Sequence, residues 1–159
     1  MKSEAEDEVV PGGVSFGVSQ EQLEKHLFKA HTNFLARGFY LFRCEQNFGI
    51  NARLDEVGLL PPGDKYAVMA AMRTNGDNYQ IGTAGVIAWM KELEQEQPFV
   101  LTGIGLDFME GRFIAPVKGP RQLARRVYQF CPDIVDQGVG TGSSLAGELR
   151  KGRLCLWWD

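Results

Sequence analysis

The chain has few cysteines, few histidines and no long apolar run, and each scarcity removes a class of protein. Three cysteines among 159 residues, Cys44, Cys131 and Cys155, stand far apart and form no C-x-x-C pair, so neither a disulfide framework nor a zinc site is legible. An odd number of thiols without a secretion signal fits a reducing compartment, where free cysteine behaves as a small buried hydrophobe. The two histidines, His26 and His31, lie five residues apart, about 140° around a helix, which does not stack them as joint ligands. No metal and no cofactor is expected. No apolar stretch approaches the ~20 residues of a membrane span, and the opening MKSEAEDEVV is acidic where a secretion signal is basic and then apolar. The expectation is a cytoplasmic protein without a membrane partner. Seventeen basic against twenty acidic residues, net −3, lack the positive excess that binding a phosphate backbone demands, so no nucleic-acid partner is expected. There is no H-E-x-x-H, EF-hand loop, Walker A sequence or G-x-S-x-G elbow.

What is present is the composition of an ordinary globular domain, 44% apolar and 23% charged, in a chain long enough to build its own core. Residues 1–18 read as an acidic, flexible lead and 19–159 as a single α+β domain. Ser19 and Gln22 form a capping-box pair, after which Leu23, Leu27, Ala30 and Phe34 recur on one helix face until Gly38. GFYLFRCE at 38–45 has strand character, and the stretch to Gly63, broken by Asn47, Gly49, Asn51, Gly58, Pro61 and Pro62, reads as loop. Asp64 caps a short helix, TNGDNY at 74–79 is turn chemistry, and Thr83 caps a further helix that Pro98 stops. Residues 98–107 and 112–117 alternate with period two and read as a hairpin reversed at Met109-Glu110-Gly111. Pro120 opens a helix, DIVDQGVG is a loop, a helix runs from about Thr141 to Lys151, and RLCLWWD is a final strand.

About four strands with helices between them predict an antiparallel-rich sheet covered by helices, with a split βαβ (ferredoxin-like) order as the topology to test. LARGFYLFR, TNGDNY with IGTAGVIAWMKELEQEQPF, TGIGLDFMEGRF, and CPDIVDQGVGT with the terminal LWWD together resemble a bacterial family, domain of unknown function 4253, over roughly residues 30–159. That resemblance implies a soluble single domain and brings no activity and no catalytic residue.

Three groups of residues carry whatever chemistry there is. Asp107, Asp133 and Asp136 could form a carboxylate cluster for acid–base work, with capping, turn closure and an ion pair to Arg112 as the plainer reading. Gly138, Gly140 and Thr141 have the order of an anion-holding loop, or of a loop with a threonine cap. Trp157, Trp158 and Tyr79 could line an aromatic ligand-binding surface, or be core. Charge is uneven: residues 1–111 hold nine basic and sixteen acidic side chains, and 112–159 eight and four. Together these favour a non-catalytic protein-binding or accessory module, immunity-type by analogy, whose partner is another protein. The alternative is a small enzyme or an anion- or metal-ligand-binding domain built on the carboxylates and the glycine-rich loop. Oligomeric state is not legible.

Overall fold

The computed structural model describes residues 10–47, 50, 53–61 and 63–159. Among these the elements are β1 (Val14–Val18), α1 (Gln20–Leu35), β2 (Tyr40–Glu45), β3 (Asp55–Leu60), α2 (Lys65–Ala71), α3 (Thr83–Glu96), β4 (Phe99–Ile104), β5 (Phe108–Phe113), α4 (Pro120–Phe130), α5 (Gly142–Arg150) and β6 (Arg153–Trp157). A 3₁₀ turn at Asp77–Tyr79 and a π-helical stretch at Ile134–Val139 also stand among the described residues. Hydrogen-bonded neighbours run β1-β3-β2-β4-β5-β6. The fold is α+β, as expected, but with six strands rather than about four. The sheet is mixed rather than antiparallel-rich, because β2 pairs β4 in parallel. The split βαβ order is also absent: the four strands expected from the sequence follow one another in chain order.

The chain divides into two compact units, Met1–Thr74 with Thr102–Leu106, and Asn75–Leu101 with Asp107–Asp159. In the first, β3 lies between β1 and β2, antiparallel to both. The acidic part of the lead, residues 1–9, lies outside the described residues, as do Gly49, Asn51 and Pro62 of the expected loop. Residues 14–18 of that lead are a strand, and residues 55–60 of that loop are another. Both were hidden by glycine and by acidic residues at strand ends, which local propensity counts against a strand although cross-strand pairing overrides it. Helix α1 starts where expected, with Ser19 Oγ accepting from the Gln22 amide at 3.4 Å. Leu23 and Leu27 pack with Leu41 and Val57 as one core cluster of this unit. His31, also buried, donates from Nδ1 to the Leu41 carbonyl at 2.7 Å and meets the edge of Tyr40. Burial holds its pKa below the usual histidine value, so the ring is neutral at pH 7.

In the second unit β5 pairs β6 antiparallel, from Phe108↔Trp157 to Arg112↔Arg153. The chain reverses at 105–107, not at Met109-Glu110-Gly111. Gly111 is glycine because a Cβ there would stand 2.2 Å from the Val100 carbonyl oxygen, so its role is close approach of strands and not a turn. Gly82, not Thr83, occupies the cap of α3 and makes no side-chain bond. Thr141 does cap α5, accepting from the Ser144 amide at 3.0 Å. The loop expected at DIVDQGVG is instead a π-helical turn, in which the Gly140 amide reaches back five residues to Val135.

Two glycines separate packing from propensity. Gly111→Ala must displace backbone and should cost about 2–3 kcal/mol. Gly147→Ala lies within α5 with nothing within 4 Å of the added carbon and should gain up to ~1 kcal/mol. Urea unfolding of both variants measures the opposite signs; equal signs would show that the β4–β5 approach is not a constraint.

Candidate functional site

Within the second unit the Asp133 carboxylate binds the Asp159 amide, and Asp107 meets the neighbouring Trp158 through its backbone. The π-helical turn sets Asp133 beneath Tyr79, whose hydroxyl donates to Oδ1 at 2.6 Å. Gln137 Nε2 donates to the same oxygen at 3.2 Å, and the Asp159 amide donates to Oδ2 at 3.0 Å. Burial opposes ionisation of Asp133, which is 4% exposed, yet these three donors together hold its carboxyl below the ordinary value. The same bond pushes the Tyr79 hydroxyl up to about 12, so tyrosine is the donor and aspartate the anion at neutral pH. Asp107 joins from the β4–β5 reversal: its carbonyl accepts from the Trp158 amide at 2.9 Å. Burial, with the Asp159 charge adding to it, raises its carboxyl above the ordinary range. Asp136 points elsewhere and accepts from the Tyr128 hydroxyl at 3.2 Å.

The aromatic group divides in the same way. Trp158 is 2% exposed, its Nε1 donates to the Phe130 carbonyl at 3.3 Å, and its ring meets Phe130 edge-on while Phe130 stacks on Trp89 at 4.3 Å. Gly76 has no room for a Cβ because the indole lies 2.9 Å away. Trp157 is half-buried, and its backbone is clamped by Cys131, whose Sγ lies 2.9 Å from the Trp157 carbonyl and 3.2 Å from its amide. Burial pushes that thiol up to about 11, far from a nucleophile's range. Tyr79 keeps 39% of its surface exposed.

Gly138 sits on the Asp133 turn, a Cβ there falling 3.6 Å from the Asp133 carbonyl oxygen. Gly140, left-handed at φ 79°, and Thr141 lead outward into the cap of α5. Arg112 lies at the far end of the β5–β6 ladder, four residues or roughly 13 Å from Phe108, beside Arg153 and not beside Asp136. Thus Asp107, Asp133, Trp158, Tyr79 and Gly138 come together, whereas Asp136, Arg112, Gly140 and Thr141 lie outside that group. Asp133 accepts from Tyr79, Gln137 and the Asp159 amide, and the last of these ties the residues after β6 to the turn. Among the described residues no three His, Cys, Asp or Glu side chains are placed to hold a metal ion, and no helix is long and apolar enough to cross a membrane.

A second feature, missed in the sequence, belongs to the first unit. An open groove of about 240 Å³ runs along α1, lined by Phe16 and Val18 of β1 and by Leu23, Leu27, Ala30 and Phe34. Its floor is the Leu41–Val57 part of the core, and only Gln22 and His26 bring polar atoms to it. Phe16 is 49% and Phe34 37% exposed. The helical stripe Leu23-Leu27-Ala30-Phe34 was legible; that its last members face an unfilled groove was not, because β1 could not be seen beneath it.

Two measurements test the anchor. Trp158→Ala should lower stability by ~3–5 kcal/mol by chemical denaturation, and a loss under about 1 kcal/mol would contradict the packing described. Asp133 has a folded pKa below its unfolded one, so its stabilisation is present above the unfolded value near 3.8 and fades as pH falls through the lower folded value. Asp133→Asn should therefore be less stable than wild type at pH 6, with the gap closing below pH 4; a constant gap would show that charge is not what Asp133 contributes.

Comparison with curated proteins and with solved structures gives no match. Residues 56–159 match the family described as Domain of unknown function (DUF4253). That is more than half of the chain, which therefore belongs to this family.

Proposed function

We propose that the protein is a non-catalytic binding module that holds another protein, and that the groove of the first unit is where it does so. The observation that carries this reading is the apolar lining of that groove together with two half-exposed phenylalanines at its rim. The groove offers an apolar place in which a partner's side chains could be buried. At about 240 Å³ the groove falls below the roughly 300–1,000 Å³ that encloses a drug-sized ligand, which favours side chains of a partner over a free cofactor. The carboxylates support the same side of the question, since Asp133 is saturated by structural donors and Asp136 is paired to Tyr128. An accessory or immunity-type role, acting by occupying a partner's surface, and a cytoplasmic setting are consistent with such a module.

A peptide-display selection on the wild-type protein, repeated on the Phe16→Glu/Phe34→Glu variant, tests the assignment. Binders enriched on the first and at least tenfold poorer on the second are expected. Enrichment equal on both, with the variant's melting temperature unchanged, places recognition elsewhere and overturns the reading.

A further inference from the structure

The outer strand of the first unit has the same residue pattern in both directions. β1 is Val-Ser-Phe-Gly-Val, with valine at either end, a small residue inside each and phenylalanine at the centre. Among the described residues it pairs only with β3, which makes it an edge strand. Every second residue of such a strand turns its N–H and C=O away from the paired side, where they are free to bond a further strand. Side chains alternate, so Val14, Phe16 and Val18 share one face and Ser15 and Gly17 the other. Val14 and Phe16 are 56% and 49% exposed. The devices that commonly block edge pairing are missing: no residue from Val10 to Gln20 is charged, β1 contains no proline, and its register on β3 runs from Val14↔Leu59 to Val18↔Asp55 without a bulge.

An edge of this kind accepts an extended strand, because its outward backbone groups repeat at a strand's own spacing. Symmetry decides which strand. Laid antiparallel on a second β1 about its centre, the sequence sets Phe16 against Phe16, Val14 against Val18 and Ser15 against Gly17. Apolar meets apolar at all three positions of the exposed face, the two rings form an aromatic cross-strand pair, and no like charges oppose each other. A slip of one residue puts Phe16 opposite Ser15 or Gly17 and loses both pairings. The operator is a two-fold axis perpendicular to the sheet, which closes on two copies and does not propagate. Each α1 packs on Leu41 of β2 and Val57 of β3. Two helices lying over their own β3 would stand three strand spacings, about 14 Å, apart, wider than the roughly 8–10 Å of packed helices, so they do not collide.

We infer that β1 pairs antiparallel with β1 of a second copy of this chain, Phe16 on the two-fold axis. Five paired residues cover less than the ~800 Å² per partner of a standard interface, so the dimer is weak and reversible. This goes beyond the groove reading and does not rest on it.

Sedimentation of the full chain from about 5 to 500 µM should show a concentration-dependent approach to the mass of a dimer. Val14→Lys sets a charge opposite Val18 of the second copy and should weaken association at least fivefold, while the residues lining the groove stay as they are. Engineered cysteines read the register. Opposed residues have Cα atoms about 4.5–5.5 Å apart, within disulfide range, whereas Val14 would lie about 13 Å from its own counterpart. Oxidation with diamide should therefore cross-link Phe16→Cys and not Val14→Cys, with the wild type, whose cysteines are buried or half-buried, as the blank. A wild type that stays monomeric throughout the range overturns the inference, as does a dimer that Val14→Lys leaves unchanged, or one that cross-links through neither cysteine or equally through both. A monomeric chain that still yields display binders dependent on Phe16 and Phe34 removes the edge pairing alone and leaves the groove reading standing.

Discussion

One helix cannot roof three strands, and the first unit is organised around that shortfall. Strands stand ~4.8 Å apart and a helix with its side chains is ~10–12 Å across, so α1 covers about two of β1, β3 and β2. Which two is decided by His31. Its Nδ1–H bond to the Leu41 carbonyl and its edge contact with Tyr40 draw the helix toward β2. The Leu23, Leu27, Leu41 and Val57 core forms beneath it, with Val18 of β1 packed against its edge. The buried Arg43–Asp55 pair, at 3.5 Å, stands on the same face, because Arg43, Val57 and Phe16 occupy one cross-strand row. Such a pair stabilises little beyond the cost of desolvating it, and Asp55 is held as well by the Asn47 amide at 2.8 Å.

The second unit is organised around its last strand. Its last strand is an edge strand, and edges fray unless tied down. Cys131 holds the Trp157 backbone, Asp107 and Phe130 hold Trp158, and Asp133 holds the Asp159 amide. Five hydrogen bonds from two segments, Asp107 and residues 130–133, converge on three consecutive residues. The π-helical turn is what makes this possible: its wider winding brings the Asp133 carboxylate, the Gln137 amide and the Tyr79 hydroxyl to one point.

The sequence was most legible where a signal is local. Caps at Ser19, Asp64 and Thr141, the proline start of α4 and the apolar rows of α1 are decided by a few neighbouring residues, and all are found in the structure. Illegibility began where a residue's role is set across the sheet. Val-Ser-Phe-Gly-Val has no local claim to be a strand; pairing with β3 makes it one. Gly111 looks like a turn residue until Val100 is placed against it. Asp107 and Asp133 invited a catalytic reading because carboxylate identity is visible in a sequence and hydrogen-bond saturation is not. The groove went unseen for the same reason as β1, since a helix stripe shows what a helix can bury but not whether anything is there to receive it.

The two units also differ in what they leave unsatisfied. Around Asp133 the polar groups turn inward and find partners, so substitutions there are felt as stability. Around Phe16 and Phe34 apolar area remains in water after folding is complete, and that area adds nothing to the stability of the unit. The edge strand beside it carries no charge and no proline, the usual guards against unwanted pairing.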